Sequence, residues 1–313
     1  MDIAITGATG FIGSHMARYL MDKGHRVTGF GNNTPRDPWR KEVWDSLHQR
    51  KFVPLTHDDP FLHGFDRVYH FAADMGGVGY FSRNDFDPYI NNSRMTFRVL
   101  KAVEFFKVER AFIASSACAY PVKFQQLPGE APRLHEGMLE NGQPDQMYGR
   151  EKLMAIRLAE RHTQDVRAGI LHTIYGEGQE FLGDRVKFPM AAARKALEAR
   201  FTGMVEMWGN GEQKRSYLHV DDAVRMIEAV TEGPYQGAVN IGYDGAVTCT
   251  EIQLLCLKLA GTGAEIRYNR SEPTGVWGRD CDSTKFRNLY GDMQTVNYSE
   301  GFGRLVNWLD GRL

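Results

Sequence analysis

Short apolar segments alternate with segments of helical periodicity over the first half of the chain. Each apolar segment has the length of a strand that is buried on both faces, and the connecting segments carry apolar residues at helical spacing. This alternation predicts an α/β fold, in which a doubly wound parallel sheet binds its ligands at the carboxyl ends of its strands. After a first strand that begins at Ile3, strands are predicted at residues 26–31, 51–55, 67–73, 110–115 and 166–172.

Helical periodicity is clearest in two long segments, residues 90–106 and 148–161, which have enough apolar surface to cover the sheet. A short helix is expected within residues 34–50, whereas residues 56–66 are too few for a full crossover helix. After about residue 175 the pattern loosens, which predicts a smaller lobe over the carboxyl edge of the sheet. The elements expected there are a helix at 189–199 and short strands at 205–208, 238–241 and 266–268.

Composition excludes several classes of function. The 313 residues include 38 lysines and arginines and 39 acidic residues, so a net charge of -1 offers no general attraction for nucleic acid or an anionic membrane. No apolar run approaches the roughly 20 residues of a membrane span, and the N-terminus has no signal-peptide pattern. The four cysteines lack paired spacing. We therefore expect no disulfide frame, no metal site and a cytoplasmic location.

The first strand runs into a turn that contains three glycines. Gly7 permits a tight turn, Gly10 lets a pyrophosphate approach the backbone, and Gly13 lets the following helix pack close to the sheet. Free N–H groups at the N-terminus of that helix would face the phosphates. An ordinary strand–turn–helix with structural glycines is the alternative interpretation.

A phenol and an ammonium lie four residues apart on one predicted helix, at Tyr148 and Lys152. A phenol with a pKa of about 10 is a poor base at neutral pH, so alcohol oxidation needs a nearby cation that favours phenolate. Ser115, Ser116 and Cys118 follow a strand at the ligand edge of the sheet. A solvated Tyr–Lys pair is the alternative, but its combination with the glycine turn favours a catalytic pair.

Together these motifs resemble the extended short-chain dehydrogenase/reductase family, in its NAD-dependent nucleotide-sugar epimerase and dehydratase group. The resemblance extends from residue 1 to about residue 290. Its general marks are residues 6–13 (TGATGFIG), 70–73 (HFAA), 91–92 (NN), 115–116 (SS), 148–152 (YGREK) and 174–176 (IYG). Three further segments are similar to the GDP-mannose 3,5-epimerases, namely residues 72–79 (AADMGGVG), 115–121 (SSACAYP) and 206–211 (EMWGNG).

The resemblance implies a domain division, a substrate class and an assembly. Residues 1–175 would form a Rossmann-like domain that contributes the Tyr–Lys helix. Residues 176–313 would form a smaller α/β lobe that mainly binds the nucleotide sugar, with some segments returning to the sheet. The substrate would be a GDP-linked sugar, and the two long helices would pair into a homodimer.

The resemblance also implies the chemistry. Tyr148 would accept the O4 proton of the sugar while hydride passes from C4 to NAD, and Lys152 would lower the pKa of the phenol and hold the ribose. The 4-ketone would acidify C3 and C5, where Cys118 and Lys187 would act as an acid–base pair. Ser116 belongs to the same catalytic set. By itself Cys118 would be typical of a buried core residue, and Lys187 of a solvated surface.

Binding residues are implied at two sites. Those expected at the cofactor are Gly7, Gly10, Phe11, Ile12, Gly13, Gly31, Asn32, Ala72, Ala73, Asn92, Ser115, Tyr148 and Lys152. Those expected at the substrate are Met75, Gly76, Gly77, Ser116, Cys118, His172, Thr173, Lys187, Arg215 and Arg279. Guanidinium groups suit a diphosphate, whereas a structural role suits His172 equally well.

Two departures from the family pattern leave alternatives open. The second strand ends in Gly31 and Asn32, where relatives that use NAD carry an acid; NADP is therefore not excluded, and Arg36 or Arg40 could attract its 2′-phosphate. Near the sugar, the Arg-Phe-His-Asn of the epimerases is replaced at residues 170–173 (ILHT).

The resemblance favours one function over three alternatives. The favoured function is an NAD-dependent 3,5-epimerase, or 5-epimerase, of a GDP-hexose. A nucleotide-sugar 4-epimerase or 4-keto reductase would not need the Cys118 thiol, and a 4,6-dehydratase would need an Asp-Glu pair after Ser116 that this chain lacks. A catalytically silent dinucleotide-binding regulator would not need Tyr148, Lys152, Cys118 and Lys187 together.

Overall fold

A seven-stranded parallel sheet forms the centre of the first part of the chain. The computed structural model describes residues 1–52, 61–126, 131–144 and 146–313. With strands numbered in chain order, the sheet contains β1 (Asp2–Thr6), β2 (Arg26–Gly31), β3 (Gln49–Phe52), β4 (Arg67–His70), β5 (Arg110–Ser116), β7 (Asp165–Leu171) and β12 (Ala238–Ile241). Its spatial order is β12–β7–β5–β4–β1–β2–β3, and every neighbouring pair is parallel. The predicted doubly wound parallel sheet is confirmed.

Helices cover both faces of this sheet. The described helices are α1 (Phe11–Asp22), α2 (Pro38–Ser46), α3 (Val78–Phe81), α4 (Phe86–Phe105), α5 (Met147–Glu160), α6 (Phe188–Thr202), α7 (Val220–Glu232), α8 (Cys249–Leu259), α9 (Thr284–Tyr290) and α10 (Tyr298–Asp310). Ile3 and Ile5 of β1 pack in the core beneath α1, α2 and α7, whereas Ala4 packs in the core beneath α4 and α5. Within the described part of the chain, no helix is both long and apolar enough to cross a membrane.

The remaining strands form small sheets beside the main one. They are β6 (Arg133–Leu134), β8 (Thr173–Tyr175), β9 (Met204–Trp208), β10 (Lys214–Arg215), β11 (Tyr217–His219), β13 (Val247–Thr248), β14 (Glu265–Asn269) and β15 (Gly278–Cys281). Four of them pair in the order β13–β10–β15–β6, and two pairs are β8–β11 and β9–β14. The helices α6, α8 and α10 enclose a separate core, in which the rings of Tyr175 and Phe302 stack with their centroids 4.4 Å apart.

Several predicted elements differ from the observed ones. The strand predicted at 67–73 is β4, which ends at His70. Its neighbour β1 ends at Thr6, and the Phe71 N–H donates the last hydrogen bond between the two segments, to Thr6 O at 3.0 Å. Beyond this point the described residues provide no strand for β4 to pair with on that side. The strand predicted at 51–55 is β3, which ends at Phe52; residues 53–55 lie outside the described residues. Of residues 56–66, the described ones, 61–66, contain no helix.

The strand predicted at 238–241 forms at those residues and belongs to the main sheet. As β12 it pairs with β7 at the edge of the main sheet, so the second part of the chain completes the sheet of the first. The division of the chain at residue 175 stays a prediction.

The main sheet has a change of direction between β1 and β4. The chain leaves β1 toward β2 on one side, and leaves β4 toward β5 on the other. Doubly wound sheets bind ligands in the crevice at such a point. The turn after β1 and the loop after β4 approach closely there, since a Cβ on Gly7 would lie 2.7 Å from Ala72 N.

A partly buried ionic cluster joins α1, α7 and α10 to the segment after β8. His219 Nε2 lies 3.0 Å from Glu177 Oε2, and Arg304 donates to both Glu177 and Asp221 at 3.0 and 2.6 Å. His15 Nε2 lies 2.8 Å from Glu177 O. Burial opposes ionisation, but the His219 hydrogen bond and the neighbouring charges lower the pKa of Glu177 to about 2. We call these five residues the Glu177 cluster.

Candidate active site

The turn after β1 leads directly into the N-terminus of α1. Gly7 has φ of +75°, a conformation that side chains rarely adopt, and a Cβ on Gly13 would lie 2.2 Å from Gly7 O. Gly10 caps α1 without any side-chain hydrogen bond, and the first turn, which begins with Phe11 and Ile12, carries no acidic residue. The turn is therefore shaped by its glycines and offers an unobstructed site for an anion.

The loop after β4 is held by Asn92 of α4. The amide of Asn92 accepts from Asp74 N–H at 2.6 Å and donates to Asp74 O at 3.2 Å, so the side chain predicted to contact a cofactor is occupied by the loop itself. Below the loop, His70 Nδ1 lies 2.6 Å from Thr6 Oγ1. Burial lowers the pKa of His70 to about 3, so the imidazole is neutral. Ala72 and Ala73 lie between these two anchored points.

Tyr148 lies near the start of α5, packed beside the turn that follows β5. A Cβ on Gly149 would lie 2.3 Å from Cys118 O, so α5 approaches this turn as closely as backbone allows. The Tyr148 ring stacks on Phe81 with centroids 4.7 Å apart, and Lys152 Nζ is 5.6 Å from its centroid. The Ser115 hydroxyl donates to Lys152 O at 2.9 Å and ties α5 to β5.

The pKa of Tyr148 is raised in this fold, and the lowering effect expected of Lys152 stays a prediction. Burial raises this pKa well above its usual value, and the charges of Cys118 and Glu151 act in the same direction. A hydrogen bond from Ser116 opposes the shift but is outweighed. The net direction is upward because the cost of burying a phenolate exceeds the favourable interactions around it.

Cys118 and Lys187 reach the same place from distant parts of the chain. Ser116 caps the short 3₁₀ turn Ala117–Ala119, where its hydroxyl accepts from Cys118 N–H at 3.2 Å. Lys187 caps the N-terminus of α6. Burial lowers the pKa of Lys187, the charge of Cys118 opposes this, and the charge of Lys152 adds to it. Cys118, Tyr148, Lys152 and Lys187, which we call the Cys118 cluster, thus lie close enough for their charges to interact.

A polar junction that the sequence did not indicate joins the loop after β4 to the segment before Lys187. We call residues 74–77 of this loop, which include Gly76 and Gly77, the glycine loop. Arg185 donates to the Asp74 carboxylate at 2.7 Å and to Met75 O at 2.8 Å, and its guanidinium lies 4.1 Å over the Tyr80 ring. Burial opposes ionisation of Asp74, but hydrogen bonds from Arg185 and Tyr80 hold the pKa of its carboxyl below the usual range. The opposite charges of Arg185 and Asp74 were the only sign of this contact in the sequence. Because the two residues are 111 positions apart, no local pattern connects them.

Gly76 and Gly77 permit the close packing of this junction. A Cβ on Gly76 would lie 2.5 Å from the Tyr80 ring, and one on Gly77 would lie 2.7 Å from Val186 O. The glycines therefore bring the loop against the backbone that precedes Lys187.

Arg215 and Arg279 are partners in the register of β10 and β15. The guanidinium of Arg215 donates to the carbonyls of Val276 and Lys214, each at 2.7 Å, and Arg279 donates to Gln125. Burial lowers the pKa of Arg215, and the charge of Arg279 adds to this shift. Two guanidinium groups on adjacent strands repel each other, so this pair favours a bound anion.

His172 has protein partners on both ring nitrogens. Nε2 lies 3.2 Å from Asn240 Oδ1, and Nδ1 lies 3.5 Å from Ser216 Oγ. Burial lowers the pKa of His172 to about 4, so the ring is neutral. The structural interpretation of His172 fits this geometry better than a substrate contact. Thr173 follows at the start of β8 and is partly exposed.

The end of β2 lies against the glycine turn. A Cβ on Gly31 would lie 2.6 Å from the Thr9 methyl group, and Asn32 is exposed. Arg40 donates to Thr9 O at 3.4 Å and to Glu180 at 3.2 Å, so its charge is already paired.

Residues 3–242 match the NAD dependent epimerase/dehydratase family. The chain belongs to this family. It is 34% identical to GDP-mannose 3,5-epimerase 1 of Oryza sativa subsp. japonica over 318 residues, which cover 98% of this chain and 81% of that protein. It is 32% identical to GDP-mannose 3,5-epimerase of Arabidopsis thaliana over 99% of this chain and 82% of that protein. These findings confirm the predicted resemblance.

A solved structure supports the fold assignment within the epimerase/dehydratase family. UDP-glucose 4-epimerase of Thermotoga maritima, solved with UDP-glucose, superposes with a TM-score of 0.87 over 100% of this chain and 99% of that chain. At 21% identity the match concerns the fold alone.

The cofactor of the epimerase/dehydratase family is NAD, as predicted. The turn after β1 fits its pyrophosphate, because a Cβ at Gly7 or Gly13 would collide with backbone and no side chain caps α1. Arg40, one of the two residues considered for a 2′-phosphate, is paired with Glu180.

Proposed function

We propose that this member of the epimerase/dehydratase family is an NAD-dependent GDP-hexose epimerase, which inverts C3 and C5, or C5 alone, of a sugar such as GDP-mannose. The observation that carries the proposal is the approach of Cys118 and Lys187 to Tyr148 and Lys152. Identity of 34% to a GDP-mannose 3,5-epimerase supports the same substrate class.

Tyr148 is proposed to move the proton of the sugar O4. When bound, NAD would supply the hydride acceptor and the hydride donor for C4, so no external reductant would be consumed. Tyr148 accepts the O4 proton in the first step and donates it back in the last. Because burial raises its pKa, the phenol needs groups that stabilise its anion. The Ser116 hydroxyl acts in this direction, and the Lys152 ammonium lies 5.6 Å from the centre of the ring. Ser116 is therefore included among the catalytic residues.

Cys118 and Lys187 are proposed to move the protons of C3 and C5. A ketone at C4 acidifies both positions, and inversion requires removal of a proton on one face and delivery on the other. As thiolate and ammonium the pair supplies one base and one acid, and the transfer leaves them as thiol and amine with the total number of protons unchanged. Burial of Lys187, which lowers its pKa, favours this exchange near neutral pH.

The remaining polar groups are proposed to hold the nucleotide sugar. Arg215 and Arg279 would bind its diphosphate, as their adjacent positive charges favour an anion. Met75, Gly76 and Gly77 would line the hexose, because the packed glycine loop lies beside Lys187.

A homodimer is part of the proposal. Phe86, Phe97 and Phe105 of α4 have 69%, 45% and 76% of their surface exposed, and a second copy of α4 and α5 would cover them. Phe97→Glu should convert the dimer to a monomer in light scattering. A cytoplasmic location is also proposed, because all four cysteines are free.

Solvent isotope exchange tests the proposed reaction. The protein is incubated with GDP-mannose and NAD in D₂O, and the sugar is analysed by NMR and mass spectrometry. Deuterium at C3 or C5 is expected, together with epimerised products. Inversion at C4 without deuterium would instead identify a 4-epimerase, and no incorporation with any GDP-sugar would reject the proposal.

A further inference from the structure

A buried carboxylate beside Tyr148 and Lys152 has no part in the function proposed above. Glu151 of α5 has a side chain with 0% exposure, and its Oε2 lies 3.1 Å from Lys152 Nζ. Thr96 of α4 donates a hydrogen bond to Oε1 at 3.4 Å. Among the residues that the structure describes, Oε2 has no hydrogen-bond donor. The contact with Lys152 is therefore an ion pair that leaves the carboxylate incompletely satisfied.

The other charges around this pair are mostly positive. The groups that face Tyr148 or Lys152 come from several elements: Ser116 and Cys118 after β5, Arg279 of β15, His70 of β4, Lys187 before α6 and Glu151 itself. His70 is neutral, because burial lowers its pKa to about 3. Within this set Glu151 supplies the carboxylate. Its charge therefore opposes the effect of the lysines and the arginine on the phenol.

We propose that Glu151 is a positioning residue that holds the Lys152 ammonium and offsets part of its charge, and so sets the pH at which Tyr148 accepts a proton. The role of Tyr148 in this inference rests on the proposed function. Glu151 acts through its neighbours and does not itself need to contact the sugar.

The signs of the charges give the direction of the effect. An ammonium stabilises a nearby phenolate, and a carboxylate destabilises it. Lys152 Nζ is 5.6 Å from the centre of the Tyr148 ring and 3.1 Å from Glu151 Oε2, so the carboxylate offsets part of the effect of the ammonium on the phenol. Removing the carboxylate charge would leave the ammonium at full strength, and the phenol would ionise at lower pH.

The test compares the NAD complexes of the wild type and Glu151→Gln, which keeps the shape and can still accept from Thr96. The absorbance of phenolate is measured as a function of pH. The same titration of a Tyr148→Phe variant, made both in the wild type and in Glu151→Gln, is subtracted so that only the signal of Tyr148 remains. We expect the midpoint of Glu151→Gln to lie about one pH unit lower. The acid limb of the pH profile of kcat should move by the same amount. An unchanged midpoint in a folded Glu151→Gln protein would overturn the inference.

Two further variants separate positioning from structure. Thr96→Val removes the hydrogen bond but keeps the carboxylate charge, so its midpoint should match the wild type. If Glu151→Gln does not fold, Glu151→Asp shortens the side chain by one methylene group and should give a smaller shift in the same direction; no shift would then count against the inference. The phenol titration does not need turnover, so failure of isotope exchange rejects the proposed function without deciding the role of Glu151.

Discussion

The Glu177 cluster and the Cys118 cluster both consist of partly buried ionisable side chains, but they differ in how these side chains are paired. In the first, Glu177 has a partner for each carboxylate oxygen, and Arg304 bridges it to Asp221. In the second, the described residues provide no hydrogen bond or ion pair to the Lys187 ammonium or the Cys118 thiol. Pairing lowers the pKa of Glu177 to about 2, whereas burial lowers the pKa of Lys187.

The opposite surroundings of Glu177 and Lys187 indicate a structural role for the first and a role in proton transfer for the second. A carboxyl whose pKa is about 2 stays ionised at neutral pH and cannot exchange protons there. An amine whose pKa is lowered by burial comes closer to neutrality, where it can both accept and donate. We therefore expect substitutions in the Glu177 cluster to reduce stability, and substitutions in the Cys118 cluster to reduce turnover.

The largest effect is expected from Cys118→Ala and Lys187→Met. Each removes one half of the proposed acid–base pair, so deuterium exchange at C3 and C5 should fall by about 1,000-fold. NAD affinity and thermal stability should change little. Lys195→Met is the matched control, because Lys195 lies on α6, has a pKa lowered by burial and bonds to Glu206 O instead of facing the Cys118 cluster. A loss of NAD binding in Cys118→Ala would point to a structural cysteine.

Substitution in the Glu177 cluster should give the next largest effect. Glu177→Gln removes a charge that His219 and Arg304 compensate, so the free energy of unfolding in urea at pH 7 should fall by about 2 kcal/mol. kcat should stay within about twofold. Glu180→Gln is the control from the same loop, since its ion pair with Arg40 is half exposed and contributes under about 1 kcal/mol. Reduced kcat with unchanged stability would break the distinction between the clusters.

The same variant has a defined pH dependence. The folded-state pKa of Glu177 is about 2, below its ordinary value of 4.5. Its contribution is therefore fully present above pH 4.5 and is lost as the pH falls from 4.5 toward 2. The stability difference between the wild type and Glu177→Gln should narrow over this window in acid unfolding experiments. A difference that stays constant would show that the carboxylate charge is not responsible.

Substitution at the junction between Asp74 and Arg185 should have an intermediate effect on turnover. Arg185→Met frees the glycine loop from the backbone before Lys187, and we expect kcat/KM to fall about 10-fold with NAD affinity unchanged. Arg83→Met is a close control, because the pair of Arg83 and Asp184 crosses the same junction at 3.7 Å with both side chains mostly exposed. Equal losses in the two variants would remove the special role of Arg185.

The sequence predicts local structure better than it predicts these clusters. Hydrophobic periodicity locates the main strands and helices because each signal lies within one segment. Tyr148 and Lys152 are also local, since four residues on a helix bring them to one face. Their electrostatics are not local: burial raises the pKa of Tyr148, and only the folded chain contains that burial.

Contacts between distant segments account for what sequence patterns miss. From the sequence, the approach of Lys187 to Cys118 could be predicted only through the resemblance to relatives. The two residues are far apart in the chain, and no regular spacing within a helix or strand connects them. Glu151 is a further case, since a glutamate on a helix is normally solvated and nothing in the local pattern predicts 0% exposure. The pairing of β12 with β7 is another such contact. The resemblance implies that some later segments return to the main sheet, but a short apolar strand does not show by itself which sheet it joins.

The smallest effect is expected from substitution of His172. This residue tests the comparison of the two clusters, because it was predicted to contact the substrate but is paired like the residues of the Glu177 cluster. Both ring nitrogens have protein partners and the ring is neutral, so His172 belongs with the paired, structural groups despite its position at the carboxyl edge of β7. His172→Gln can still donate to Asn240 and should change kcat and KM by less than about threefold, with a loss of stability of about 1 kcal/mol. A tenfold rise in KM at unchanged stability would make His172 a substrate contact, and its two protein partners would then not mark it as a structural residue.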